Sequence, residues 1–316
     1  MAKKKDISYQ HIFGPVPSRR LGLSLGVDLV PHKTCTLDCV YCECGKTTHL
    51  TIKRQEYVAL KQIKTELDAF LAPNPALDFI TFSGAGEPTL HSGLGEIVRY
   101  LKTVYPQHKL ALLTNGSLLN SSSIRREISM LDVVKVSLDA ANKDNFKRIN
   151  RPHPGLDITC FTDGLTAFRK GFAKQLWVEV FLVPGCNDSE VELKEIKNVI
   201  NTLEPDRIQL NTLDRPGTES WVKPVGKKAL TDIASYLYNA EIITHSKPEQ
   251  NGRIDGKHYY ERLLATIKRR PCTAEDVTRL LGIDIGEARR HLYDLTQKGV
   301  IKKKEMPRGT FYMMPS

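Results

Sequence analysis

Between residues 21 and 211 the chain switches repeatedly between short apolar runs rich in β-branched residues and longer stretches with helical spacing. The first run, 21–31, offers Leu25, Val27, Leu29 and Val30 for burial. Residues 56–71 then place Ala59, Leu60, Ile63, Leu67, Phe70 and Leu71 at helical intervals. Strand candidates follow at 79–82, 110–113, 133–138, 176–183 and 208–210. Helical stretches separate them at 94–101, 124–131, 161–172 and from a Ser189 N-cap to about residue 203. Strands alternating with helices imply βαβ units and a parallel sheet. About six such units suit a barrel or partial barrel, whose chemistry gathers at the carboxyl ends of the strands.

The last part of the chain has a different pattern. Residues 221–244 read as a closing helix and a short strand, and 246–256 as a polar linker. The expected division is therefore 1–245 for the barrel, 246–256 for the linker and 257–316 for a small α+β unit. In that unit, helices are expected at 259–267, at 273–281 behind a Thr273 cap, and at 285–298, where Ala288, Leu292 and Leu295 share a face. Gly299 is placed to end the third helix, and β-like pieces follow at 300–302 and 310–313. That order is the order of a winged helix. Arg289, Arg290 and His291 fall on its expected recognition helix, and Lys302, Lys303, Lys304 and Arg308 on its wing.

The formal net charge is +10, and residues 257–316 carry 13 Lys and Arg against 7 Asp and Glu, a net of +6. The excess either solubilises a surface or meets an anionic partner such as a nucleic acid. No apolar run reaches the ~18 residues of a membrane span. The start, Met1-Ala2-Lys3-Lys4-Lys5-Asp6, lacks the apolar stretch of a secretory signal. A cytoplasmic protein is expected.

Three of the seven cysteines fall within eight residues, in Cys35-Thr-Leu-Asp-Cys39-Val-Tyr-Cys42. A tight cluster argues for metal rather than a disulfide scaffold. Thiolates suit iron–sulfur clusters or zinc. Three thiolates leave one iron of a four-iron cubane without a protein ligand, which is the open position that substrate-binding metal chemistry needs. A structural zinc would close with a fourth ligand, for which Cys44 or His49 stands near.

Further motifs end the later strands. Ser83-Gly84-Ala85-Gly86-Glu87-Pro88-Thr89 combines glycines that permit close backbone approach with a carboxylate that can accept from an ammonium. Asn115 is a turn residue or lies near a ligand. Ser137 and Asp139 can bond ribose hydroxyls, or Asp139 can cap a loop. Val183 and Asn211 end the last two strands, as ligand contacts or as core. Arg19, Arg20, Arg148 and Arg151 are candidates for anionic substrate or for surface ion pairs.

The cysteine spacing, with Tyr41 before the last cysteine, resembles the radical S-adenosylmethionine (SAM) superfamily. The resemblance implies a partial (β/α)6 barrel and a 4Fe–4S cluster on Cys35, Cys39 and Cys42. It also implies that SAM binds the open iron and is split by one electron into methionine and a 5′-deoxyadenosyl radical. Tyr41 would lie near adenine, Gly86-Glu87 would correspond to the motif that contacts the SAM amino group, and Ser137 and Asp139 would meet ribose. Val183 and Asn211 would contact adenine, and Asn115 would face SAM or substrate. The implied partners are SAM and a one-electron donor such as flavodoxin or ferredoxin.

The stretch from Gly14 to Arg20, the sequence Ser137-Leu138-Asp139-Ala140 and Arg148-Ile149-Asn150-Arg151-Pro152 resemble the branch that includes the tRNA wybutosine-synthesis enzymes. That enzyme holds a second cluster on cysteines N-terminal to the SAM motif, and this chain has no cysteine before Cys35. Modification of a nucleic acid such as tRNA is the leading expectation. A glycyl-radical activase or peptide-modifying enzyme, and an iron–sulfur DNA-binding regulator, remain alternatives.

Overall fold

Residues 9–18, 20–243 and 259–315 are described by the computed structural model; Arg19 and the expected linker lie outside them. One sheet takes its strands in chain order: β1 (Ile12–Ser18), β2 (Gly22–Val27), β3 (Phe79–Phe82), β4 (Lys109–Thr114), β5 (Val133–Ser137), β6 (Gln175–Leu182), β7 (Arg207–Thr212) and β8 (Glu241–Ile242). β1 pairs antiparallel with β2, and every later pair is parallel. Parallel neighbours need a crossover. Helices α1 (Leu60–Leu71), α2 (Leu94–Val104), α3 (Ser122–Glu127), α4 (Ile158–Gly171), α5 (Glu190–Leu203) and α6 (Lys227–Tyr236) occupy those connections. The mixed α/β, parallel-strand architecture expected from the alternation is present.

Strand alternation decides which side faces the helices. Val134 and Val136 on β5, and Leu176, Val178, Val180 and Leu182 on β6, join the main apolar cluster under the helices. Their neighbours Lys135, Trp177 and Glu179 take the opposite face, where Trp177 packs with Leu21, Ala111 and Val133. Several boundaries differ from the expectation, and one strand is additional to it. β1 carries Pro15 and Pro17, residues that argue against a central strand, but an edge position with a register shift between Phe13 and Val16 accommodates them. α4 starts before residue 161 because the Asp157 carboxylate accepts from Thr159 and Cys160 N–H groups. The Ser189 cap holds, its hydroxyl accepting from Glu192 N–H.

The tail forms α7 (Tyr259–Arg269), α8 (Ala274–Leu281) and α9 (Ile285–Gln297), then an antiparallel hairpin of β9 (Lys302–Met306) and β10 (Gly309–Met313). Thr273 caps α8 and Asp276 caps back. The first hairpin strand begins later than expected, because Val300 and Ile301 N–H groups bond to Leu295 O. Leu263, Val277, Leu281, Ala288, Leu292 and Ile301 form a separate apolar cluster.

The tail packs against the sheet through charged pairs. Asp276 accepts from Arg215 and Arg308 at 2.9 Å each, and Arg308 also reaches Asp214 at 3.2 Å. The two guanidiniums hold the Asp276 carboxyl well below its usual range against the opposing effect of burial. Arg308, expected on the wing, is thus committed to this junction. Arg269 donates to Asp28 at 2.6 Å, just beyond β2. Among the described residues no helix is long and apolar enough to cross a membrane.

Candidate active site

The cysteine loop leaves the end of β2 and is pinned from two sides. Thr34–Cys35 pairs with His49–Leu50, and Thr47 N–H bonds the Asp38 carboxylate at 2.6 Å. From the other side, Asp38 N–H bonds to Asn150 O at 3.0 Å and Val40 N–H to Ile149 O at 2.9 Å. Cys35, Cys39 and Cys42 are half-buried in it. Among the described residues no three His, Cys, Asp or Glu side chains converge as a single-ion site would require. Three soft thiolates from one loop, with one position left open, suit a multi-iron cluster better than a structural zinc, which closes with a fourth ligand. Of the two candidates for a fourth zinc ligand, Cys44 donates to Arg269 O at 3.0 Å, and the exposed His49 packs edge-on to Tyr57.

Each of the three sulfurs receives an N–H donor. Asn115 Nδ2 lies 3.6 Å from Cys35 Sγ, Asn150 Nδ2 3.5 Å from Cys39 Sγ, and Lys33 Nζ 3.1 Å from Cys42 Sγ. The neighbouring Cys44 side chain, with the Lys33 ammonium beside it, brings the Cys42 thiol below its ordinary value. Burial, reinforced by Glu87, pushes Cys35 up to about 12, and burial raises Cys39 as well. Metal would have to displace protons from those two, since the thiolate is the ligand.

The loop after β3 lies directly on the cysteine loop. Glu87 N–H bonds to Thr34 O at 3.1 Å. A Cβ on Gly86 would sit 2.3 Å from that same carbonyl oxygen, so only glycine allows this contact. Glu87 is 2% exposed, and its carboxylate is filled from within the chain. Oε1 accepts from Thr89 N–H at 3.0 Å and from the Thr89 and Thr114 hydroxyls at 2.6 Å, while Oε2 accepts from Asn115 N–H at 2.8 Å. Glu87 therefore ties the β3 loop to the β4 loop. Asn115 goes beyond a turn: its Nδ2 donates to Thr36 Oγ1 at 2.8 Å as well as facing Cys35.

A small cavity lies beside the cysteines, walled by Leu37, Asn115, Ser137, Asp139, Asn150 and Phe161. The Asp139 carboxylate is engaged on both oxygens. Oδ1 accepts from Phe181 N–H at 2.9 Å, and Oδ2 from Asn150 at 2.8 Å and from the Tyr41 hydroxyl. Burial outweighs these bonds and raises its pKa above the ordinary carboxylate value. The Tyr41 ring stacks on Phe181 with centroids 3.8 Å apart and planes 9° apart. Asp139 thus fixes Tyr41 and Asn150, both neighbours of the cysteines. Val183 is fully buried among Val40, Ile149, Phe181 and Leu213, its N–H bonded to Asn187 Oδ1 at 2.8 Å. Asn211 is buried and accepts from Thr212 N–H at 3.0 Å. Neither is among the cavity's lining residues.

The candidate anion-binding arginines have protein partners: Arg20 pairs with Glu179, Arg148 donates to Gly185 O at 3.0 Å, and Arg151 meets Glu219 at 2.6 Å. Sequence reasoning missed Lys33 and Asn150 as neighbours of the thiols. Asn150 stood in a noticed motif, but Lys33 carried no signal beyond lying two residues before Cys35.

A family model described as the Radical SAM superfamily matches residues 29–195, which include the cysteines, Glu87 and Asp139. A Brachyspira hyodysenteriae protein called GTPase Obg is 33% identical over 298 residues; the match spans 93% of this chain but 43% of that protein. A UPF0026 protein of Methanocaldococcus jannaschii is 31% identical over 314 residues, covering 95% of each chain. Among solved structures, a radical SAM methyltransferase from Sphaerobacter thermophilus superposes with a TM-score of 0.54 at 17% identity, covering 69% of this chain and 64% of the other. At that identity the likeness concerns the fold.

Proposed function

Because the chain belongs to the Radical SAM superfamily, we propose that it modifies a nucleic acid, with tRNA the first candidate. It is an enzyme of the radical SAM class, and enzymes of that family use a 4Fe–4S cluster and SAM. We assign the cluster to Cys35, Cys39 and Cys42, whose soft donor set fits it. When bound and supplied with one electron, cluster and SAM together provide a 5′-deoxyadenosyl radical. The chain's own residues position them. Asn115 and Asn150 orient the sulfurs of Cys35 and Cys39 while forming a wall of the adjoining cavity. Glu87 locks the β3 loop so that its peptide groups, beside Gly86, face the cysteine loop; SAM's amino group would be read there. Tyr41, held by Asp139 and Phe181, presents a fixed ring for adenine. Ser137 and Asp139 lie where ribose would reach, and Val183 and Asn211 support the adenine end. Leu37 and Phe161 supply apolar wall to the same cavity.

The observation that carries the nucleic-acid reading is the charge on the tail. Arg289 and Arg290 on α9, with Lys303 and Lys304 on β9, are exposed, and so is Tyr293. We read the tail as a winged helix whose basic groups meet phosphates. Such contacts position a substrate and weaken steeply with salt. The resemblance to the wybutosine-synthesis branch supports the same class of substrate.

The test is anaerobic reconstitution with SAM and dithionite, followed by mass spectrometry of RNA bound to the full chain. RNA should co-purify at low salt, and a nucleoside in it should change mass only when SAM is present. Lys303→Glu with Lys304→Glu should weaken RNA binding and flatten its salt dependence. A single stable protein partner without RNA would instead favour an activase or peptide-modifying enzyme.

A further inference from the structure

We infer that Lys33 sets the redox poise of the cluster through the Cys42 sulfur, making the cluster easier to reduce. The inference rests on assigning the cluster to Cys35, Cys39 and Cys42. Lys33 is 3% exposed, and its Nζ is 3.1 Å from Cys42 Sγ. A buried ammonium is costly unless an anionic or hydrogen-bonding partner meets it, and the Cys42 sulfur is that partner. The backbone holds the side chain to this task. Lys33 adopts a left-handed φ of 58°, a conformation that a lysine rarely takes without compensation. Its N–H bonds to Ala85 O at 2.6 Å, and its carbonyl accepts from Thr48 and His49 N–H groups at 3.2 and 3.1 Å. Both main-chain groups are thus spent joining the cysteine loop to the β3 loop and to the returning chain. The side chain leaves this anchor toward Cys42.

The three sulfurs are not treated alike. Cys35 and Cys39 face neutral amides at 3.6 and 3.5 Å, whereas Cys42 faces a full charge at closer range. Reduction adds one electron, and so one negative charge, to the cluster. A fixed cation beside one of its thiolates stabilises the reduced form more than the oxidised form. Burial strengthens the effect, because little water screens it. Hydrogen bonds to the sulfurs and net charge are established determinants of iron–sulfur potentials.

The experiment uses the full chain, reconstituted anaerobically, with iron and sulfide measured per chain. Its midpoint potential is read by redox titration with electron paramagnetic resonance of the reduced cluster. Lys33→Met keeps the stem and removes the charge, Lys33→Gln keeps a neutral donor, and Lys33→Arg keeps the charge. The expected result is wild-type iron content with the midpoint moved to more negative potential in K33M, moved less in K33Q, and largely restored in K33R. A K33M or K33Q midpoint equal to wild type at full iron content would overturn the inference. So would failure of both neutral variants to take up iron, since Lys33 would then act as scaffold. Cys42→Ala separates the underlying reading: if it kept the complete cluster, the assignment itself would fail, whatever Lys33 does.

Discussion

Glu179 offers the sharpest test of how the sheet face away from the helices is held. Its Oε1 accepts from Lys135 Nζ at 3.0 Å, and Arg20 pairs with Oε2. All three side chains are largely withdrawn from solvent. Burial alone would raise the carboxyl, but Arg20 and Lys135 outweigh it and hold Glu179 at about 2, against an ordinary 4.5. At about 1.4 kcal/mol per tenfold change in proton affinity, that gap corresponds to roughly 3 kcal/mol. The folded-state value is depressed, so this stability is fully present above about pH 5. It is lost as pH falls through 4.5 toward 2. Glu179→Gln leaves two buried cations without their counter-charge, and it should cost about 3–5 kcal/mol near neutrality. Urea midpoints, followed by the fluorescence of Trp177 on the same strand face, should fall with acid in the wild type. The variant should begin lower and lack this part of the acid slope, so that the two curves converge. Curves that stay parallel from about pH 5 to pH 3 would refute the reasoning.

Cys39→Ala should lose the brown colour of the anaerobic protein and SAM cleavage together, read by absorbance and by 5′-deoxyadenosine release. Gly86→Ala should lower Tm by a few degrees and slow iron uptake, because its Cβ would meet Thr34 O at 2.3 Å and one of the two loops must shift; overpacking of this kind costs about 1–3 kcal/mol. Arg269→Ala should leave the Asp28 carboxyl, already raised by burial, without its cation; hydrogen exchange should then quicken both in the cysteine loop and in α7.

The strand–helix alternation and its parallel sheet were legible because the 2-residue and 3.6-residue periods alternate cleanly from β2 to β7. Branched residues such as Val134, Val136, Val178 and Val180 had only one side on which to be buried. Local capping chemistry was legible for the same reason: Ser189 and Thr273 act on backbone groups within three residues of themselves. β1 escaped notice, since Pro15 and Pro17 deny a central strand and only an edge makes room for them. The partners of Arg308 on the wing were not legible, because nothing in its neighbourhood along the chain announces Asp276 and Asp214.

By itself, the sequence determined the alternation of strands and helices, the loop that carries three thiols, and the basic character of the tail. The tertiary structure decided what surrounds those thiols. Asn115 reaches Cys35 across 80 residues and Asn150 reaches Cys39 across 111, because parallel strands with successive crossovers bring their carboxyl ends to one rim. The same folding filled the carboxylates of Glu87 and Asp139 with internal donors and turned them into fasteners between loops. Periodicity records which face of an element is apolar. It does not record which polar group on a distant strand end will meet it, because that depends on the order and twist of the completed sheet.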